Sequence, residues 1–453
     1  MMNKLYKFSA FAALLAGFAL SSCNNEEADI FDQSAAHRTE EAKQMYKDIL
    51  VDQGGKWQME YFTTEEEHGY VYLFTFKKDG SVKISGHNEY ITKITNIDAN
   101  YSSFGSEESL WDVISDNGPV LTFNSYNKYF HLFADPEDVP DTEVDEQGYG
   151  HSGDYEFDLM KFSNDTLYLE GKKHGASIIM TRIPSTTDDE TYLNEVVALA
   201  DSFFNAKIPA VYVNLPGGYR HVVLDGATQL PKFYPETGDY ITEWVGRNAI
   251  ITHDGFTLGS PLTLRDSIDG KDYTIQHFIR QADGSLLCTD DGKTTITADA
   301  LSKVVTNQAL VWQIDATQST GELGEAFNAI STGTKAFNGS SINYIKFGAV
   351  TESGKKYPNA VFVRLKLKTA GKTLNIYQEM QTEVISDDEF RFVLGDMEKN
   401  MATYVTKVPE LQAFLEMLGN TTFKCSSSSL LAPVNIRISD VNNPSSSLML
   451  NLQ

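Results

Sequence analysis

Cysteine is nearly missing from this chain: 3 of its 453 residues, Cys23, Cys288 and Cys425, stand far apart. A disulfide framework and a cysteine zinc site both need closely spaced pairs, so neither is available. Cys288 and Cys425 are expected to be two separate buried thiols. Basic side chains are short as well, 37 Lys and Arg against 62 Asp and Glu, for a formal net charge of −25. So negative a surface repels phosphate backbones and anionic lipid, which excludes nucleic acid as a partner. Catalytic signatures are also wanting. The nine histidines lack the spacing of a helical zinc protease, and no Gly-x-Ser-x-Gly occurs. Gly292-Lys293-Thr294 and Gly371-Lys372-Thr373 imitate a phosphate loop, but Leu287 and Lys366 stand where its upstream glycine belongs, so both read as turns. No catalytic residue, metal ligand or cofactor is expected, and ligand-binding residues stay unassigned.

What is present begins with a secretory signal. Lys4 and Lys7 precede an apolar run from Phe8 to Leu20. That run of roughly 13 residues is too short for an ~30 Å hydrocarbon core, which needs roughly 20 helical residues. Leu20-Ser21-Ser22-Cys23 resembles the bacterial lipoprotein signal, in which diacylglyceryl transfer to the sulfur precedes cleavage on its amino side. Cys23 is therefore the expected lipid attachment site and residues 1–22 the signal. Two or three acyl chains make such attachment effectively permanent. Residues 23–35, with Glu26, Glu27, Asp29 and Asp32, are too polar to order themselves and read as a flexible acidic tether. Loss of Lys4 and Lys7 leaves 35 basic against 62 acidic residues, a charge of −27. An acidic pair behind the lipid cysteine also resembles the surface-export signal of Bacteroidetes lipoproteins, with two asparagines intervening as a departure. The expected location is the outer membrane, lipid-anchored, on the extracellular face.

With 41% hydrophobic and 11% aromatic residues the chain can build packed cores, and its length suits two or three domains. Ala42, Met45, Tyr46, Ile49 and Leu50 share one helical stripe. From Gly54 to Ile183 the texture turns to short aromatic and β-branched runs: Lys56 to Thr63, Tyr70 to Phe76, Ser81 to Ser85, Val120 to Phe123, Tyr129 to Phe133, Tyr155 to Phe162, Leu167 to Glu170 and Ile178 to Ile183. Asp79-Gly80 and Asn164-Asp165 lie between paired runs as hairpin turns. This order predicts an N-terminal lipocalin-like up-and-down β-barrel or curled antiparallel sheet. Thr187 and Glu190 predict a capping box for a closing helix that carries Tyr192, Val196, Leu199, Ala200 and Phe203 on one face, so that residues 36–205 form the first domain. Residues 206–297 read as a second β-rich domain, 298–330 as a helical linker with short helices around Trp312, and 331–453 as a C-terminal α+β domain. There Val361, Val363, Leu365 and Leu367 alternate with residues expected to be mostly wet, and Pro409 to Leu418 is a helix ending at Gly419. The fold class is thus mainly β with an α+β C-terminal part. Asp-Gly-Ser closes a strand at both Ser81 and Ser285, hinting at a repeat or at ordinary hairpin chemistry.

Tyr70, Tyr72, Phe74 and Phe76 share one face of a strand, which favours a barrel filled by side chains over one enclosing a ligand. The acids from Asp135 to Asp158 form the densest cluster in the chain, but Glu146 and Ser152 break the EF-hand pattern, leaving a solvated loop or an irregular calcium site. A carboxylate pair for glycosidic cleavage cannot be picked from sequence, because its separation is a property of the fold.

Gly55-Lys56-Trp57 resembles the start of a lipocalin, where the indole closes one barrel end. Together with Gly69-Tyr70 through Gly80, Ser125-Tyr126-Asn127, His131 to Pro136, Ser152 to Phe157 and Leu169 to Lys173, these segments resemble a DUF4302-like domain of unknown function found in Bacteroidetes lipoproteins. Ser152 departs from an expected glycine. The resemblance spans about residues 35 to 300; it implies association with SusC/SusD-type nutrient-uptake proteins and carries no catalytic residues. The function expected is an outer-membrane-anchored, non-catalytic binding or accessory lipoprotein with a glycan or peptide ligand. The alternatives are a hydrolase acting on such a polymer, or an adhesin or structural surface lipoprotein.

Overall fold

The computed structural model describes residues 34–63, 68–88, 90–91, 104–134, 153–203, 207, 210–224, 231–235, 245–369 and 371–453. Helix α1 (Ala35–Val51) starts where Ser34 Oγ accepts the His37 N–H at 3.3 Å, and it buries Tyr46 and Leu50. Strands β1 to β8 (Lys56–Phe62, Tyr70–Phe76, Ser81–His87, Phe104–Ser115, Pro119–Phe123, Glu156–Ser163, Thr166–Gly171 and Ser177–Arg182) then close into an antiparallel barrel in sequence order. The two predicted hairpin turns are there: Gly80 has φ 84°, and Asn164 and Asp165 have φ 52° and 57°.

This barrel is full. Trp57, Met59, Tyr61, Tyr72, Phe74 and Phe76 are all at most 2% exposed, and further rings come from the β5–β6 connection. Tyr129 to Phe133, expected as a strand, is a turn followed by a 3-10 segment that plugs the interior. Buried Asn127 shapes it by accepting the Tyr129 and Phe130 N–H groups at 3.1 and 3.2 Å. Phe130 then lies 5.1–6.2 Å, centroid to centroid, from Tyr61, Tyr72, Phe74, Phe123 and Phe157. Each such ring removes a large apolar area from water, about 1.5–3 kcal/mol per side chain. The strand that takes its place in the count is β4, which the sequence conceals because Glu107 and Glu108 interrupt its apolar alternation. With no room inside, the version of the fold that encloses a small molecule is dropped.

Helix α2 (Asp189–Phe203) covers the outer face of β1 and β2, where Phe62, Val71 and Leu73 pack on Tyr192, Leu193, Val196 and Ile250. Its cap differs from the expected box: Asp188, not Thr187, accepts the Thr191 N–H at 3.0 Å, and the Thr187 carbonyl instead receives Lys56 Nζ.

Strands β9 to β17 (Val211–Asn214, Arg220–Leu224, Lys232–Pro235, Val245–Gly246, Ala249–Ile251, Gly255–Arg265, Asp272–Arg280, Leu286–Cys288 and Thr295–Ala298) form one curled sheet in the order β12-β11-β10-β9-β17-β16-β15-β14-β13. After helix α3 (Leu301–Thr306), strands β18 to β25 (Trp312–Thr320, Ser341–Glu352, Lys355–Lys366, Thr373–Val384, Glu389–Met397, Thr422–Ser427, Asn435–Asp440 and Ser447–Leu452) close a second eight-stranded barrel. It also carries helices α4 (Gly321–Asn338), α5 (Lys399–Lys407) and α6 (Pro409–Asn420). The α+β expectation holds in content, and barrel closure is what the sequence did not reveal.

Trp312 opens strand β18 rather than lying among short helices, because its 1%-exposed indole fills this barrel. Helix α6 runs past Gly419 to Asn420. Phe362, placed on the wet side of β20, is fully buried beneath Tyr357, 4.8 Å away, since the end of the β19–β20 hairpin folds over that outer face.

Candidate functional site

Because both barrels are packed, the sites open to a ligand are on their outsides. One lies where barrel 1, α2 and the curled sheet meet, a cleft of about 460 Å³ whose lining includes Gln58, Arg182, Tyr192, Glu195, His253 and Asp254. Strand alternation sets it up. Trp57, Met59 and Tyr61 point into the barrel, so Gln58 and Glu60 on the same strand point out toward α2. Tyr192 and Glu195, three apart on α2, share one helical face and overhang the cleft.

The polar groups converge. Tyr192 donates its hydroxyl to Gln58 Oε1 at 2.8 Å, and its ring stacks on His253 with centroids 4.3 Å apart and planes 14° from parallel. His253 Nε2 lies 2.5 Å from Glu195 Oε2 and Nδ1 lies 2.7 Å from Asp254 Oδ1. Hydrogen bonds to both carboxylates need a proton on each ring nitrogen, so this arrangement favours the imidazolium form. Burial works against that charge, and the two carboxylates outweigh it, raising the His253 pKa above its ordinary value. Burial, reinforced by the charges of Asp254, Glu60 and Glu195, raises that of Tyr192. Behind the cleft, Glu60 is 8% exposed; burial pushes its carboxyl up to about 7 against a hydrogen bond from Thr257. At the amino end of α2, Asp189 sits 2.5 Å from Lys56 Nζ and 2.9 Å from Lys83 Nζ.

Sequence reasoning did not single out His253 as part of a site. The signal was faint: a histidine in a His-Asp-Gly turn, 58 residues from the glutamate it meets. Cys23, the expected lipid site, lies outside the described residues, as do residues 135–152 of the acidic cluster. Of the remaining acids, Asp154 has a structural role. Its carboxylate accepts the Lys173 N–H at 2.9 Å and the His174 N–H at 3.1 Å, while Tyr61 Oη accepts the Asp154 N–H at 2.6 Å. Two segments that carry the family resemblance thus form one clasp. Among the described residues, no group of three or more His, Cys, Asp or Glu could hold a metal ion. Cys288 and Cys425 are free and buried, in the curled sheet and the second barrel, and burial pushes their thiols up to about 11 and about 12. Gly292 and Gly371, with φ 65° and 77°, are turns. No described helix is long and apolar enough to cross a membrane.

No curated protein matches the chain. Among solved structures, an uncharacterized protein from Bacteroides eggerthii DSM 20697 is 16% identical, with 29% of this chain and 100% of that one covered and a TM-score of 0.18. So low a score carries no argument about fold or role. A family described as "Domain of unknown function (DUF4302)" matches residues 27–280, which take in α1, the first barrel, α2 and most of the curled sheet. With more than half of its length matched, the chain belongs to the DUF4302 family.

Proposed function

We propose that this chain is a lipid-tethered, non-catalytic binding or accessory protein of an outer-membrane nutrient-uptake system, taking a glycan or peptide in the cleft between barrel 1 and the curled sheet. One observation supports the reading most: an aromatic ring, an amide and an imidazole bridged by two carboxylates converge on a recess of about 460 Å³. Recesses of this kind, apolar surface with a few placed polar groups, are what recognise small or extended ligands. The two cleft carboxylates are already engaged by His253, which argues against their serving as an acid and base for hydrolysis. Attachment through Cys23, the outer-membrane location and SusC/SusD-type partners belong to the same proposal.

The test is a calorimetric screen of the purified mature protein against glycan and peptide panels, repeated with Tyr192→Ala. Saturable binding that weakens at least about tenfold in the variant supports the reading. Measurable turnover of a polymer, or binding indifferent to Tyr192, overturns it. Mass spectrometry of membrane-extracted protein tests the anchor: diacylglycerol on Cys23 is expected, and a Cys23→Ala protein that stays in the membrane fraction would refute it.

A further inference from the structure

We propose that the joint between barrel 1 and the curled sheet is a pH-operated hinge, closed in mildly acidic solution and loosened above neutrality. The joint is small and its seams are identifiable. The Gly69 N–H donates to the Ala249 carbonyl at 2.7 Å, and a Cβ at Gly69 would stand 2.9 Å from Ile250 Cβ, so the two backbones touch there. On one side of this seam Glu60 projects from β1 against Thr257 of β14. On the other, His253 at the tip of the β13–β14 turn reaches α2. Sheet and barrel thus meet at an apolar seam, Ile250 packing among Phe62, Val71, Leu73 and Tyr192, and that seam also carries one buried carboxyl and one bridged imidazole.

The surroundings of each group decide its sign. Glu60 faces Val71 and Ile179 across the strands, with Thr257 from β14 and the Tyr192 hydroxyl region of α2; its Oε2 has no hydrogen-bond partner. Burial there favours the uncharged carboxyl over the ionised one. His253 faces Glu195 and Tyr192 from α2 and Asp254 from its own turn, while Arg182, Asp188 and Gln58 line the far side of the cleft. The cation can donate to both carboxylates; the neutral ring can donate to only one and leaves the other to solvent.

Both groups have raised pKa values, Glu60 to about 7, so closing the joint favours the protonated form of each and both release protons more readily when it opens. For Glu60, stability declines as pH rises from the ordinary carboxylate value through about 7. For His253 it is fully present below the ordinary imidazole value and lost as pH rises through the raised one. The two contributions fall together. That the cleft then releases its ligand rests on the binding reading above; the loosening itself does not require any ligand.

Amide hydrogen exchange of the full mature chain at pH 5.5 and 8.5, corrected for intrinsic rates, tests the hinge without a ligand. Protection of the Gly69 amide and of β13–β14 should fall on the order of tenfold between the two pH values while barrel 2 amides hold steady. Glu60→Gln, which mimics the protonated acid, should retain part of that protection at pH 8.5, the rest being lost with the His253 proton. His253→Gln should lower protection at pH 5.5 toward the wild-type alkaline level. Equal protection at both pH values, a joint that merely tracks barrel 2, or an unchanged pH response in both variants would overturn the proposal. A failed binding screen with an intact exchange response would sink only the binding reading.

Discussion

The guanidinium of Arg182, on the last strand of barrel 1, lies 4.3 Å from the ring centroid of Trp57 on the first. It donates to the Asp52 carbonyl at 2.7 Å and the Ile49 carbonyl at 3.1 Å, and the Trp57 Nε1–H donates to the Leu50 carbonyl at 2.9 Å. One cation thus stacks on the indole, ties down the end of α1 and closes the barrel seam. Gly55-Lys56-Trp57, which resembles a lipocalin start, serves here to lock the barrel's end.

Arg182→Ala should destabilise the protein by about 2–4 kcal/mol, the sum expected for a desolvated cation–π contact and charge-assisted bonds to two backbone carbonyls. Arg182→Lys, keeping charge without the planar fork, should recover less than half of that. Urea unfolding with the slope held constant measures both.

Phe130→Ala should cost about 3–5 kcal/mol, because five rings lose their common partner and cannot collapse onto it. The apolar void should take up benzene, raising the melting temperature of the variant and not of the wild type. Equal response of the two would show that the plug is not what fills the barrel.

Gly171 and Gly175 flank one turn and should differ sharply on substitution. A Cβ at Gly171 would stand 1.9 Å from Asp154 Oδ2, so Gly171→Ala should break the Asp154 clasp and cost several kcal/mol. Gly175 has φ 75° and open space around its Cβ position, so Gly175→Ala should cost only about 1 kcal/mol of backbone strain. Thermal melts of the two proteins decide the matter.

Asp189 predicts an acid-side loss of stability. Burial opposes its charge, but Lys56, Ser85 and Lys83 outweigh burial and hold the carboxyl below the usual range. Its contribution is present above the ordinary aspartate value and disappears as pH falls through the depressed one. Asp189→Asn strands a buried Lys56 and should cost about 3–5 kcal/mol at pH 7, with the gap to wild type narrowing only well below pH ~4. Denaturant titrations at pH 7 and 3 test the sign.

Much of this fold was legible in local sequence, for reasons that can be named. Alternation along Tyr70 to Phe76 and positive-φ chemistry at Gly80 and Asn164-Asp165 each depend on neighbours within a few residues. The Asp-Gly-Ser pair is a case in point: Asp79 and Asp283 each accept the N–H of the serine two residues on, at 2.9 Å, the same turn used twice. Where reading failed, a distant partner had intervened. Strand β4 carries charge along its length yet is held by ladders to β3 and β5. Tyr129 to Phe133 has the composition of a strand, but the barrel needed rings at its centre. Trp312 sits in a strand because the second barrel closes around it.

Hydrophobic period, turn residues and charge balance are short-range or additive properties, and from them follow a β-rich, strongly acidic chain, its barrel pattern and its two solitary thiols. The cleft is of another kind. Gln58, Tyr192 and His253 come from a strand, a helix and a turn spread over almost 200 residues, and no periodicity links them. Their meeting depends on how the curled sheet docks against barrel 1, and docking is settled by the shape of two packed surfaces rather than by any local preference of the chain.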